Sequence, residues 1–424
     1  MSNRTNDPNL KSWVKSALGS HFPIQNLPIG IFSTSDRSAR AGIAIGVKIL
    51  DLALCFEKGL IRPKGVNENV FAQENLNAFF ALGKSVWSDT RQQISDFLNA
   101  DNADNSRFED EVLVNQSEAR MHLPVKIGNY TDFYSSMEHA SNVGKIFRPQ
   151  AEPLLPNWKH IPVGYHGRAN SIVVSGTDFH RPNGQTMADG AEKPEFGPSK
   201  RMDIELEMAF VIGQSTQLGD FVKTSNAWDY VYGLALFNDW SARDLQKWEY
   251  VPLGPFLGKN FASSMAPWIV SIEALEPFRV DGPKQEPEVL PYLKTEGPQN
   301  FDIKLHVYLT PEGGRPSLIS KSNHKHLYWN IPQQVAHHTV NGCPLSVGDV
   351  YASGTISAPD ENGFGSMLEL SWGGKKPMAI NDGSTRTFLL DNDKITIIGY
   401  CEKDEYTIGF GEVSGKLLPA KKYE

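Results

Sequence analysis

Apolar positions recur along most of this chain in short runs with a period of two, the spacing of half-buried strands. Such runs occupy 171–176 (SIVVSG), 204–213 (IELEMAFVIG), 231–237 (VYGLALF), 267–272 (PWIVSI), 301–309 (FDIKLHVYL), 386–390 (RTFLL) and 394–400 (KITIIGY). Residues 30–56 alternate apolar with small or polar residues between glycines and read as further short strands. The pattern changes from about Asn75 to Ala100. There Leu76, Phe79, Phe80, Leu82, Val86, Trp87, Ile94, Phe97 and Leu98 recur at helical spacing. The polar run 101–110 (DNADNSRFED) reads as a connection, which places a domain boundary near residues 115–124. The strands lie too close together and are too often turn-linked for a doubly wound parallel sheet. Two long Gly/Pro-rich polar stretches, 181–201 and 278–300, read either as passive surface loops or as a lid over a site.

Composition agrees with a mostly β protein: 36 Gly and 27 Pro favour many turns over long helices. With 424 residues the chain accommodates one large domain and a smaller one, or two of ordinary size. A formal charge of -8 and the lack of a Lys/Arg cluster argue against a nucleic-acid partner or an anionic membrane surface, and favour a small-molecule substrate. Cys55, Cys343 and Cys401 are an odd count at wide spacings, which suits a reducing, cytoplasmic setting. The N-terminus lacks the apolar core of a signal peptide. The longest apolar stretch, 41–56, is interrupted by Lys48 and Asp51, so no membrane span is expected.

The densest chemistry lies at 238–260 (NDWSARDLQKWEYVPLGPFLGKN). Asp239 follows a strand and stands where sheets commonly place ligands. A short helix is expected next, capped by Asp239 or Ser241, with Arg243, Gln246 and Tyr250 on one face. A solvated helix would carry the same spacing. In IELEMAF a strand puts Glu205 and Glu207 on one side and Ile204, Leu206 and Met208 on the other; a solvent-facing strand would look alike. If this strand lies beside the one ending at Asp239, three carboxylates converge, and a cation is their natural counter-charge. All-oxygen ligands select Ca²⁺ or Mg²⁺. The segment 129–148 adds Asp132, Tyr134, His139 on a short helix, and Arg148; a neutral histidine near a carboxylate is a candidate general base. His324, His326, His337 and His338 show no ligand spacing and read as structural or surface residues. No nucleophile elbow, P-loop or dinucleotide fingerprint is present.

These residues sit in strings that resemble the fumarylacetoacetate hydrolase family, of the fumarylacetoacetase type. The resemblance runs from FPIQNLPIGIFS (22–33) through YTDFYSS, LLPNW, PVGYHGRANSIVVSGT, the 238–260 segment and SGTIS to GFGSMLELSW (363–372). It implies metal-dependent hydrolysis of a carbon–carbon bond in 4-fumarylacetoacetate, a diketoacid, at the end of tyrosine and phenylalanine degradation. It further implies a small N-terminal SH3-like β-barrel (1–120), a larger C-terminal catalytic β-roll (121–424), and a homodimer. By the same resemblance Asp132, Glu205, Glu207 and Asp239 hold Ca²⁺, and a second cation, Mg²⁺, lies by Asp239 near Lys259 and Ser263. His139 is the implied base, oriented by Glu369; Arg243, Gln246 and Lys259 stabilise the oxyanion; Tyr134, Arg148, Tyr165, Tyr250 and Thr355 contact substrate. The chain departs from the family at Ala262 and Ser263, where Gly and Thr are more common. Two rivals remain at this stage: an acylpyruvate hydrolase, decarboxylase or dienoate isomerase on the same scaffold, and a non-catalytic calcium-binding protein.

Overall fold

Residues 4–403 and 405–423 are described by a computed structural model. The N-terminal part is built on β1 (Ile29–Ser33), β2 (Arg40–Ile45), β3 (Lys48–Asp51), β4 (Leu113–Asn115) and β5 (Arg120–His122). They form an antiparallel sheet in the order β4-β3-β2-β1-β5, open between β4 and β5. The strand pattern expected for 30–56 stops at Asp51, because Leu52–Glu57 is a helix, α1. The Asp51 carboxylate accepts the Leu54 N–H and caps it. Leu52, Ala53, Cys55 and Phe56 are buried while Leu54 is half-buried and Glu57 exposed, and so short an apolar run carries no period that separates helix from strand.

The helical stretch at 75–100 is two helices, α2 (Asn77–Phe80) and α3 (Lys84–Leu98). They part at Gly83, whose φ of 85° lies in the left-handed region that glycine tolerates. The run at 101–110 is coiled into 3-10 turns (Ala100–Phe108) that lead into α4 (Glu109–Val112). β5 pairs with β1 and so belongs to the first sheet.

The second sheet has eight strands. Along it run β7 (Gly164–His166), β6 (Tyr130–Phe133), Val350–Ala352, Leu206–Ile212, Val231–Asn238, Ser263–Met265 and β8 (Ile172–Val174), with Val270–Ser271 also on Val231–Asn238. A third sheet joins Ser317–Asn323, Lys304–Thr310, Lys394–Glu402, Thr407–Leu418 and β9 (Phe179–His180). The protein is therefore mostly β and largely antiparallel. The second sheet is buried on both faces. Leu206, Met208, Phe210 and Ile212 pack with Leu305, Val307, Ile395 and Phe410 of the third sheet. Ala209, Val211, Tyr232, Ala235 and Phe237 pack against Ile43, Phe79, Phe80 and other N-terminal residues. Each large apolar side chain so buried contributes roughly 1.5–3 kcal/mol.

Five more helices sit at the edges: α5 (Met137–Phe147), α6 (Arg243–Glu249), α7 (Ile272–Leu275), α8 (Ile331–Thr339) and α9 (Met367–Leu370). The expectation that Asp239 or Ser241 caps α6 is not met. Its N-cap is Ala242 without a side-chain bond, and Ser241 donates to the Asp239 carbonyl. The apolar runs at 267–272 and 386–390 keep only Val270–Ser271 and Thr385–Arg386 as strand near them, Ser271 going on to cap α7. The polar stretch 181–201 holds a hairpin, Asn183–Thr186 with Glu195–Pro198. Among the described residues no helix is long and apolar enough to cross a membrane.

Candidate active site

The register of the second sheet brings the acidic residues together. Asp132 pairs with Ala352, Ala352 with Ala209, and Glu207 with Phe237 on the strand that runs on to Asp239. Counting by twos along each strand puts Asp132, Glu207 and Asp239 on one face, with Glu205 just beyond the strand's start. Ligand oxygens of Asp132, Glu205, Glu207 and Asp239 lie within 4.8 Å of one another, and all four residues are buried. The alternative of a solvent-facing Glu pair is thereby removed. Room comes from Gly354, which follows Val350–Ala352 and whose N–H donates to Glu207 Oε2 at 3.1 Å. A Cβ there would come within 2.2 Å of the Phe133 carbonyl oxygen, and its φ of 75° suits glycine.

Asp132 Oδ1 and Glu207 Oε1 are buried acceptors without a hydrogen-bond partner among the described residues. Orphaned oxygens in an all-carboxylate set fit a metal ion. Burial, then the neighbouring carboxylates, push Asp132 and Glu207 well above the usual carboxylate range. Glu205 goes the other way: burial would raise it, but Lys259 and Arg243 outweigh burial and hold it well below that range. Lys259 Nζ donates to Glu205 and, at 2.8 Å, to Asp239 Oδ2. Those carboxylates outweigh burial and raise its pKa, so it is a firmly charged ammonium. An ammonium has no lone pair, so the Lys259 side chain is a counter-charge here and offers a cation no ligand atom. Ser263 Oγ and Tyr165 Oη donate to Asp239 at 2.7 Å and 3.1 Å.

The pH consequence has a definite sign. With folded pKa values raised above those of the unfolded chain, Asp132 and Glu207 bind more protons folded than unfolded. The cation-free protein therefore loses stability as pH rises from the ordinary carboxylate range toward the raised values. A divalent cation takes the place of those protons. The difference in Tm between cation-loaded and chelated protein is expected to widen from about pH 5 to about pH 8. A difference that stays flat across that range would mean that the cluster does not bind the ion.

Helix α5 carries His139 and is capped by Ser136, which takes the His139 N–H. His139 Nδ1 lies 2.6 Å from Glu369 Oε2, and both side chains are buried. Glu369 also accepts from Asn142 Nδ2 at 3.0 Å, from Ser357 Oγ at 2.9 Å and from Ser366 Oγ at 2.7 Å. Burial alone would raise Glu369, but His139 and these donors hold it below its ordinary value. An ionised Glu369 makes Nδ1 the protonated nitrogen and leaves the Nε2 lone pair free.

A cavity of about 420 Å³ gathers the remaining groups. Asp132, Glu205, Lys259, Arg243 and Gln246 line it with His139, Tyr134, Tyr165 and Thr355. Arg148, Tyr250, Phe147, Pro153, Leu154, Leu155 and Leu253 also line it. Arg243 Nη1 donates to Gln246 Oε1 at 3.0 Å, which leaves the Gln246 amide N–H groups as donors. Arg243 Nη2, Arg148 Nε and Thr355 Oγ1 are buried and have no hydrogen-bond partner among the described residues. Asp239 and Ser263 line a smaller polar cavity of about 90 Å³, for which Lys259 and Tyr165 form a shared wall. Neither polar stretch, 181–201 or 278–300, lines the main cavity. His324 is buried with its pKa lowered to about 3 by that burial, and takes no part in the site.

Sequence reading missed Asp203, Asn142, Ser357 and Ser366. Ser357 and Ser366 lie in SGTIS and GFGSMLELSW, strings that draw notice for other residues. Asp203 is adjacent to the Glu205 strand yet carries no spacing signal.

Residues 129–411 match the family model for the fumarylacetoacetate (FAA) hydrolase C-terminal part, and residues 25–124 match that for the fumarylacetoacetase N-terminal part. The chain is similar to a fumarylacetoacetase of Caenorhabditis elegans, 52% identical over 417 residues, covering 97% of this chain and 100% of that one. It is similar to a fumarylacetoacetase of Rattus norvegicus, 50% identical over 414 residues, covering 96% and 99%. The fold resembles that of a fumarylacetoacetate hydrolase from Exiguobacterium antarcticum, with a TM-score of 0.53 at 16% identity, covering 93% of this chain and 100% of that one.

Proposed function

The chain belongs to the fumarylacetoacetate hydrolase family, and from that premise we propose how it works as the enzyme that hydrolyses 4-fumarylacetoacetate. The products are fumarate and acetoacetate, and the reaction ends tyrosine and phenylalanine degradation. The observation that carries the reading is that His139, bonded to the buried Glu369, lines the same cavity as Asp132 and Glu205 of the carboxylate cluster.

His139 Nε2 takes a proton from water as the water oxygen bonds to the ketone carbon next to the bond to be cut. Glu369 holds the tautomer and stabilises the imidazolium that forms. Arg243, the Gln246 amide and Lys259 stabilise the tetrahedral oxyanion. The oxyanion then re-forms the C=O of the new fumarate carboxyl group as the carbon–carbon bond breaks, its electron pair leaves with acetoacetate as an enolate, and the proton taken up by His139 is delivered to that carbon. Tyr134, Arg148, Tyr165, Tyr250 and Thr355 hold the substrate; Arg148, with Nε unpartnered, suits one of its carboxylates. Asp132, Glu205, Glu207 and Asp239 would hold Ca²⁺, which when bound would supply Lewis acidity to the cavity. Mg²⁺ is assigned to the smaller cavity beside Asp239 and Ser263, with Lys259 as its neighbour.

We take the N-terminal part as the SH3-like unit and the rest as the catalytic β-roll, with the boundary expected at residue 120 moved to the end of β5 at His122. In support of the first, β1 pairs with both β2 and β5, as in a small barrel whose last strand returns to its first. The assembly we propose is a homodimer in the cytoplasm. The free thiols Cys55, Cys343 and Cys401 fit a reducing compartment.

Loss of the diketone absorbance of fumarylacetoacetate, followed with purified protein, tests the reading. Turnover is expected to vanish on chelation and to return with Ca²⁺ or Mg²⁺. No turnover by metal-loaded protein, with turnover of acylpyruvates instead, would move the activity to another reaction of the same scaffold.

A further inference from the structure

Asp203 touches neither the cavity nor the carboxylate cluster, yet both halves of the hydrolytic machinery meet on it. Its carboxylate is fully buried and accepts four hydrogen bonds. Oδ2 takes Arg243 Nε at 2.7 Å and the Leu368 N–H at 3.0 Å. Oδ1 takes the Met367 N–H at 2.6 Å and the Ile204 N–H at 2.8 Å. Met367 and Leu368 are the first two residues of α9, the turn that carries Glu369.

The local structure explains why this residue is placed so. Met202–Asp203 pairs with Ser241–Ala242, the two residues that lead directly into Arg243. That ladder sets Asp203 against the guanidinium. Arg243 Nε is then held by Asp203, and Nη1 by Glu205 Oε1 at 2.8 Å and Gln246. The planar fork is thereby fixed, with Nη2 buried and without a hydrogen-bond partner among the described residues, and the side chain lines the cavity. At α9, short as it is, the Asp203 carboxylate satisfies two N–H groups of the first turn, while Ser366 takes the third, from Glu369 itself.

We propose that Asp203 is a positioning residue that ties the oxyanion-binding Arg243 to the turn carrying Glu369, so that base and oxyanion donor keep one mutual geometry. This rests on the hydrolase reading above. It assigns Asp203 no contact with substrate or cation. Its effect passes through Arg243 on one side and through the Glu369–His139 bond on the other.

The test is Asp203→Asn in the full-length, cation-loaded protein. All four neighbours of the carboxylate are donors, so the amide removes at least one acceptor and sets donor against donor at nearly unchanged volume. The expected result is a kcat lowered roughly 10- to 100-fold with KM within about threefold, the signature of an interaction felt in the transition state. The downfield proton resonance of the His139 Nδ1–H bonded to Glu369 is expected to shift. In an Arg243→Lys background, where the fork is already lost, Asp203→Asn is expected to cost distinctly less than in the wild type, since coupled groups are not additive. An unchanged kcat with an unchanged N–H resonance, or a fully additive cost beside Arg243→Lys, would overturn the assignment. If the Asn variant does not fold, Asp203→Glu, which keeps the charge but displaces it by one methylene, is read by the same measurements. Should the wild type fail to turn over fumarylacetoacetate, the hydrolase reading falls, and the N–H resonance, which needs no substrate, still decides Asp203.

Discussion

His139→Ala is expected to lower kcat for fumarylacetoacetate by roughly 10⁴-fold, the upper range for removing a positioned general base. The variant should still bind substrate, because Arg148, Arg243, Gln246 and Tyr250 stay in the cavity wall. It should also fold: Glu369 keeps Asn142, Ser357 and Ser366 as donors, so its carboxylate is not left bare when the imidazole goes. KM close to the wild-type value with kcat nearly abolished is the expected pair of readings. Turnover within about tenfold of wild type would sink the base assignment, since no other positioned base accounts for a loss of the expected size.

Lys259→Met removes one of the two cations that stand against Glu205, the other being Arg243. Lys259 is buried, so the change leaves Glu205 and Asp239 facing each other without the ammonium between them. Breaking a buried ion pair by deleting one partner costs about 3–5 kcal/mol, and the chelated variant is expected to lose stability on that scale. A divalent cation supplies part of the missing positive charge. Added Ca²⁺ should therefore raise Tm more in the variant than in the wild type, even though turnover falls by roughly 10²- to 10³-fold with the oxyanion donor gone. Parallel thermal melts with and without Ca²⁺ measure both effects. An equal Ca²⁺ response in the two proteins would mean that Lys259 and the cation do not share the same carboxylates.

Local periodicity in the chain determined much of this site. The alternation from Ile204 to Met208 assigns Glu205 and Glu207 to one side of a strand, because a strand turns each successive side chain over. The apolar run before Asp239 places that carboxylate at a strand end. Motif strings along most of the chain carried the family, and the composition carried the mostly β class. Where an apolar segment is short the same reasoning failed: Leu52–Glu57 is a helix capped by Asp51, and six residues are too few for a period to separate helix from strand. The expected cap of α6 failed for a different reason. Asp239 is drawn away by Lys259, Ser263 and Tyr165, three partners that no local rule supplies.

Only the tertiary structure decided which distant groups meet. His139 and Glu369 are 230 positions apart, and Asp203 and Leu368 are 165 apart. Spacing along a strand or helix says which side a residue faces, but strand order and register say what stands opposite. Here Val350–Ala352 lies between β6 and Leu206–Ile212, and that order sets Asp132 near Glu207. A period is a property of neighbouring residues, whereas the pairing of buried charges is settled when every desolvated group must find its partner.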